Sequence, residues 1–71
     1  MKEQRPASFH YHTFKTGRGE WHGMIVEWSG RFYRDLWESP EYDEEGIAER
    51  ACLNRARVLG ITVVKATNKA D

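Results

Sequence analysis

Three histidines, His10, His12 and His22, are the residues in this chain best suited to chemistry. His10 and His12 stand two apart, so on an extended strand they point to one side. If a hairpin closes about Gly17, His12 lies opposite His22, with β-carbons about 5 Å apart. Three imidazoles on adjacent strands form the donor set of an open zinc site with three protein ligands. They also suit a protonation switch near neutral pH, and the same spacing arises from ordinary half-buried surface histidines. The single cysteine, Cys52, excludes an intramolecular disulfide and a cysteine zinc cluster. It falls on an apolar helical stripe, where a thiol acts as a small buried hydrophobe.

Other chemistry is sparse. No serine nucleophile and no pair of catalytic carboxylates stands out. Gly17-Arg18-Gly19 is too short for a phosphate loop and has no helix after it. Glu38, Glu41, Asp43, Glu44 and Glu45 cluster before the helix. They complement its dipole there, or form an acidic patch for a basic partner. The expectation is a non-enzymatic binding module without a cofactor.

The bulk numbers agree with a module. A chain of 71 residues is one small domain. At this size folding buries only about 60% of the unfolded surface, which leaves little room for a deep cleft. Basic and acidic residues balance at 11 each. That excludes the strong basic excess of an indiscriminate nucleic-acid binder, though not a local basic patch. No apolar run reaches the ~20 residues that cross a bilayer, and residues 1–6 lack the apolar core of a secretory signal. A cytoplasmic protein is expected, with no membrane partner.

These residues need elements to position them. Residues 8–14 alternate aromatic and polar side chains, as a strand does. Two glycines in residues 15–19 read as a hairpin loop. Residues 20–28 form a second strand, Ser29-Gly30 a tight turn, and residues 31–37 a third strand. A helix starts at Ser39-Pro40-Glu41 or at Asp43-Glu44-Glu45 and runs to Leu59, with Gly60 as its C-cap. Its apolar residues fall at Ile47, Ala48, Ala51, Cys52, Val58 and Leu59. Residues 61–65 are β-branched and suit a short fourth strand or a packed tail. The fold class is therefore α+β: a three-stranded antiparallel sheet packed on one C-terminal helix. The domain spans residues 8–65, with a disordered arm at 1–7 and a frayed tail at 66–71.

One helix covers only one face of such a sheet. Alternation assigns Trp21, Ile25, Phe32 and Leu36 to the helix side, where the small Gly23 lets the helix approach. Met24, Val26, Trp28, Tyr33 and Trp37 fall on the other side. A face so apolar either binds something or is covered by the tail or the arm. A one-residue slip in register would exchange the faces.

The segment Gly19-Glu20-Trp21-His22-Gly23-Met24-Ile25, the turn Gly30-Arg31-Phe32-Tyr33 and the helix alanines Ala48, Ala51 and Ala56 carry a resemblance. Over residues 8–60 the chain resembles the DNA-binding domains built from three strands and a helix. These include the plant ethylene-response-factor domain and the arm-binding domains of phage-type tyrosine recombinases. The resemblance implies a sheet face that enters the major groove, through positions here held by Arg18, His22, Met24, Arg31 and Tyr33. Met24 and Val26 stand where that family carries charged residues.

Two uses of the open face follow. In the first, Arg18, Arg31 and Arg34 meet DNA phosphates while Trp28, Tyr33 and Trp37 stack on bases. In the second, the same apolar face binds a protein partner or a second copy of the chain, as in a phage or mobile-element accessory protein. A metal site of His10, His12 and His22 is the third reading.

Overall fold

The computed structural model describes residues 8–66; the expected arm and the rest of the expected tail lie outside them. The elements are β1 (Ser8–Lys15), β2 (Trp21–Trp28), β3 (Tyr33–Glu38), α1 (Glu45–Leu59) and β4 (Val63–Lys65). The sheet order is β3-β2-β1-β4. The first three strands are antiparallel, and β4 runs parallel to β1 at the sheet edge. The α+β expectation holds, and the short fourth strand is present. Instead of folding over the open face, residues 63–66 extend the sheet edge, and the Ala66 N–H donates to the Tyr11 carbonyl. No helix among the described residues is long and apolar enough to cross a membrane.

The β1–β2 hairpin closes one residue later than expected. Its register pairs His12 with Met24 and Phe14 with His22, which centres the loop on Arg18 instead of Gly17. Thr16 and Gly19 set this register. The Gly19 N–H donates to the Thr16 carbonyl, and Gly19 takes φ 84°, a left-handed conformation that glycine adopts without a β-carbon clash. The next turn spans residues 29–32, with Gly30 at φ 103°. The Ser29 hydroxyl accepts from the Phe32 N–H, so β3 begins at Tyr33, two residues later than expected.

The helix begins at the second expected start. Gly60 ends it at φ 75°, and the N–H groups of Gly60 and Ile61 return to the Arg57 and Ala56 carbonyls. That pairing is the Schellman closure, with Ile61 turned back onto the core. The helix face toward the sheet is Ala48, Cys52 and Ala56, four apart and all buried. Their small side chains bring the helix axis close to β2. Gly23 completes the approach: a β-carbon there would overlap the Cys52 sulfur and lie 3.0 Å from the Ala48 carbonyl oxygen. Ile25 and Cys52 are fully buried at the centre, with Tyr11 and Ala56 around them. Burial pushes the Cys52 thiol up to about 11, so it stays protonated and inert.

Two polar contacts fix the helix over β1. The Tyr11 hydroxyl donates to Glu49 at 2.8 Å, and the Thr13 hydroxyl donates to Glu45 at 2.8 Å. Glu45 and Glu49 are four apart and share a helix face. The expected face assignment for β3 needs correction. A β-bulge lies where the register shifts between Ile25 and Val26, so Val26 faces Asp35 while Ile25 faces Trp37. Leu36 is the extra residue, and it turns Trp37 onto the helix side. Phe32 and Leu36, both expected in the core, are exposed in the turn and at the bulge.

Candidate binding face and its surroundings

Register places the side chains of the open face. From β1 come Ser8, His10, His12 and Phe14; from β2, His22, Met24, Val26 and Trp28. β3 adds Tyr33, Asp35 and Glu38, and β4 adds Val64. A shallow groove of about 980 Å³ crosses this face from Tyr33 and Asp35, over Met24 and Val26, to Ala66. Among the described residues no segment crosses it, yet Val26 is only 8% exposed because aromatic rings and imidazoles crowd it. Trp28 and Tyr33 pack with ring centroids 4.6 Å apart, and His10 meets the Tyr33 ring edge-on.

The histidines share this face, as expected, but not as a ligand set. The hairpin register moves His12 off His22 and puts Phe14 opposite His22 instead. The Phe14 ring lies between them, 5.2 Å from the His12 ring and 4.2 Å from the His22 ring. His22 Nδ1 is 2.8 Å from a Glu38 carboxylate oxygen, and His10 Nε2 is 3.0 Å from the Ser8 hydroxyl. Among the described residues no three His, Cys, Asp or Glu side chains converge to hold a metal ion.

Of the other predicted site residues, His22, Met24, Trp28 and Tyr33 lie together on the open face, while Trp37 does not. Its indole lies against the core on the helix side, beneath the Arg55 guanidinium. Arg18 sits at the hairpin tip and is ion-paired to Glu41 at 3.3 Å. Glu41 in turn shares a hydrogen bond with Glu20, which raises the Glu20 carboxyl above its ordinary range and lowers that of Glu41. Arg31 lies in the second turn with its guanidinium 6.0 Å from the Phe32 ring. Arg34 points to the helix side and bonds Glu27 at 2.6 Å. None of the open-face strand positions holds an arginine or lysine. Lys65, at the far end of the groove, is 3.7 Å from Glu49.

Sequence reasoning missed the segment that supports this face. After β3 the chain continues antiparallel along β2, past Gly23 to Trp21, instead of starting a helix at Ser39. The buried Ser39 hydroxyl accepts from the Gly23 N–H at 2.8 Å and donates to the Pro40 carbonyl. Trp21 and Tyr42 exchange both backbone hydrogen bonds at 2.7 Å. The proline after Ser39 was a usable signal, because it holds the preceding residue in extended conformation. The acidic cluster before the helix is largely committed to local partners: Glu38 to His22, Glu41 to Arg18 and Glu45 to Thr13.

Comparison with known protein families, curated proteins and solved structures gave no match.

Proposed function

We propose that this chain is a non-enzymatic binding module whose working surface is the open sheet face and whose partner is a protein. The observation that carries the reading is the charge of that face. Phe14, Met24, Val26, Trp28, Tyr33 and Val64 supply apolar surface, and apart from the histidines the charged residue types among the described open-face positions are the acids Asp35 and Glu38. A nucleic-acid surface needs cations to displace phosphate counterions. Of the candidate arginines, Arg18 is paired with Glu41 and Arg34 with Glu27, and Arg31 lies in the turn before β3, off the strand positions of the face. Apolar patches rimmed by polar groups mark protein contacts, and aromatic residues and methionine are the types enriched there.

Two measurements test this. Nile red fluorescence is expected to rise in the presence of the protein and to fall back in Met24→Lys, whose charge would sit mid-groove. Isotope-labelled protein titrated with mixed-sequence DNA duplexes at two salt concentrations is expected to show no salt-dependent shift at Met24, Val26 or Tyr33. Salt-sensitive shifts at Arg31 and Tyr33 would overturn the protein reading in favour of nucleic acid.

A further inference from the structure

Among the described residues the helix lies chiefly over β1 and β2 and reaches β3 at Trp37. Beside that contact is a shallow depression of about 310 Å³, on the opposite layer from the open face. Trp37 and Tyr42 form its aromatic walls, and Ala51, Asn54, Arg55 and Val58 line it from the helix. The bulge at Leu36 creates it by turning Trp37 to this side.

Its electrostatics are one-sided. The Arg55 guanidinium carbon is 5.1 Å from the Trp37 ring centroid, a cation held over an indole face. Stacking uses none of the guanidinium N–H groups, which lie in the plane of the fork and remain able to donate to a carboxylate in two parallel bonds. Among the described residues no carboxylate lies within ion-pair distance of Arg55, although Arg18, Arg34 and Lys65 each have one. The Asn54 amide and the Tyr42 hydroxyl add donors at the rim. Beside them Val58 is 73% exposed, an aliphatic surface on the helix flank. A cation fixed on an aromatic wall next to bare aliphatic surface complements a carboxylate next to an apolar side chain. The volume is at the low end for ligand sites, enough for about two residues.

We infer that this cleft binds a short acidic segment of a partner protein, one carboxylate lying in the plane of the Arg55 guanidinium and the adjacent aliphatic side chain against Trp37 and Val58. It is independent of the open-face reading. If both hold, the module joins two partners, one on each layer.

The test uses the whole chain and two capped dipeptides, acetyl-Leu-Glu-amide and acetyl-Leu-Gln-amide. Titration to millimolar concentration is followed by NMR at the Trp37 indole N–H and the Arg55 side chain. The glutamate probe is expected to shift both signals and to bind about ten- to a hundredfold more tightly than the glutamine probe, the range for one hydrogen-bonded charge. Arg55→Gln, at a half-exposed position that leaves the core intact, is expected to abolish the difference. Equal responses to the two probes, no response to either, or an undiminished response in Arg55→Gln would each overturn the proposal. So would inorganic phosphate shifting the same signals as strongly as the glutamate probe, since that would mark a general anion site. Signals of Met24 and Val26, recorded in the same spectra, report separately on the open face.

Discussion

Replacing Gly23 by alanine puts one methyl group where the helix meets the sheet. The new β-carbon would overlap the Cys52 sulfur and stand 3.0 Å from the Ala48 carbonyl oxygen. The oxygen belongs to the helix backbone and cannot rotate away, and Cys52 is fully buried. Overpacking of this kind costs about 1–3 kcal/mol. The general preference for alanine over glycine inside a strand returns about 0.5–1 kcal/mol. A net loss of about 1 kcal/mol is expected for Gly23→Ala. Against a total of roughly 4–10 kcal/mol for 71 residues, that is an appreciable fraction. The midpoint of thermal unfolding should fall by about 4–8 °C. Urea unfolding of Gly23→Ala, Cys52→Ala and the double variant measures the cause directly. Removing the sulfur should relieve part of the clash, so the double variant should be about 1 kcal/mol more stable than the sum of the single effects predicts. Strict additivity, or a single-variant loss under about 0.5 kcal/mol, would refute the close helix–sheet approach as the organising contact of the fold.

Three further outcomes are expected. Ser39→Ala leaves the buried Gly23 N–H without its 2.8 Å acceptor and should cost about 1–3 kcal/mol in urea unfolding, whereas Ser29→Ala in the exposed turn should cost far less. Burial and the hydrogen bond to Glu49 raise the Tyr11 phenol to about 12 from its ordinary 10.0. The folded state thus holds this proton more tightly than the unfolded state. Its stabilisation is complete below pH 10 and is lost as pH rises toward 12, so Tyr11→Phe should flatten the stability profile in that window, as alkaline unfolding followed by circular dichroism would show. Val26→Asp, at a crowded open-face position beside Asp35, should remove partner binding and also lower stability, while Tyr33→Ser, at a position 63% exposed, should weaken binding with little change in the unfolding midpoint.

The sequence disclosed the elements better than their registers. Alternation in β1 and β2, the glycine at position 60 and the alanine–cysteine stripe of α1 are local patterns, and each was legible. Gly23 was legible as the point of helix approach because it falls between Trp21 and Ile25 on one strand face. The hairpin register was not, because either Gly17 or Gly19 can centre a loop. The choice rests on Gly19 closing onto Thr16 in three dimensions, and it moved His12 away from His22 by two residues. The bulge at Leu36 has no local signature, since β3 alternates across it, and it misplaced both Leu36 and Trp37. Ser39 was read as a helix start because serine before proline suits one. Its burial depends on Gly23, sixteen residues earlier. The open face itself was largely legible from Met24, Val26, Trp28 and Tyr33. What the pattern did not show was the pairing of Arg18 with Glu41, 23 residues on, and of Arg34 with Glu27 across the β2–β3 turn.

The central claim is that the open sheet face holds a protein. A photo-crosslinking amino acid at position 33, exposed on the edge strand of that face, is the test, with the chain expressed in its source cells beside a control carrying the same group at position 50 on the outer side of the helix. Protein adducts are expected from position 33, to a partner or to a second copy of the chain, that disappear with Met24→Lys and are absent at position 50. Adducts to nucleic acid from position 33, or protein adducts equal at the two positions and indifferent to Met24→Lys, would contradict it.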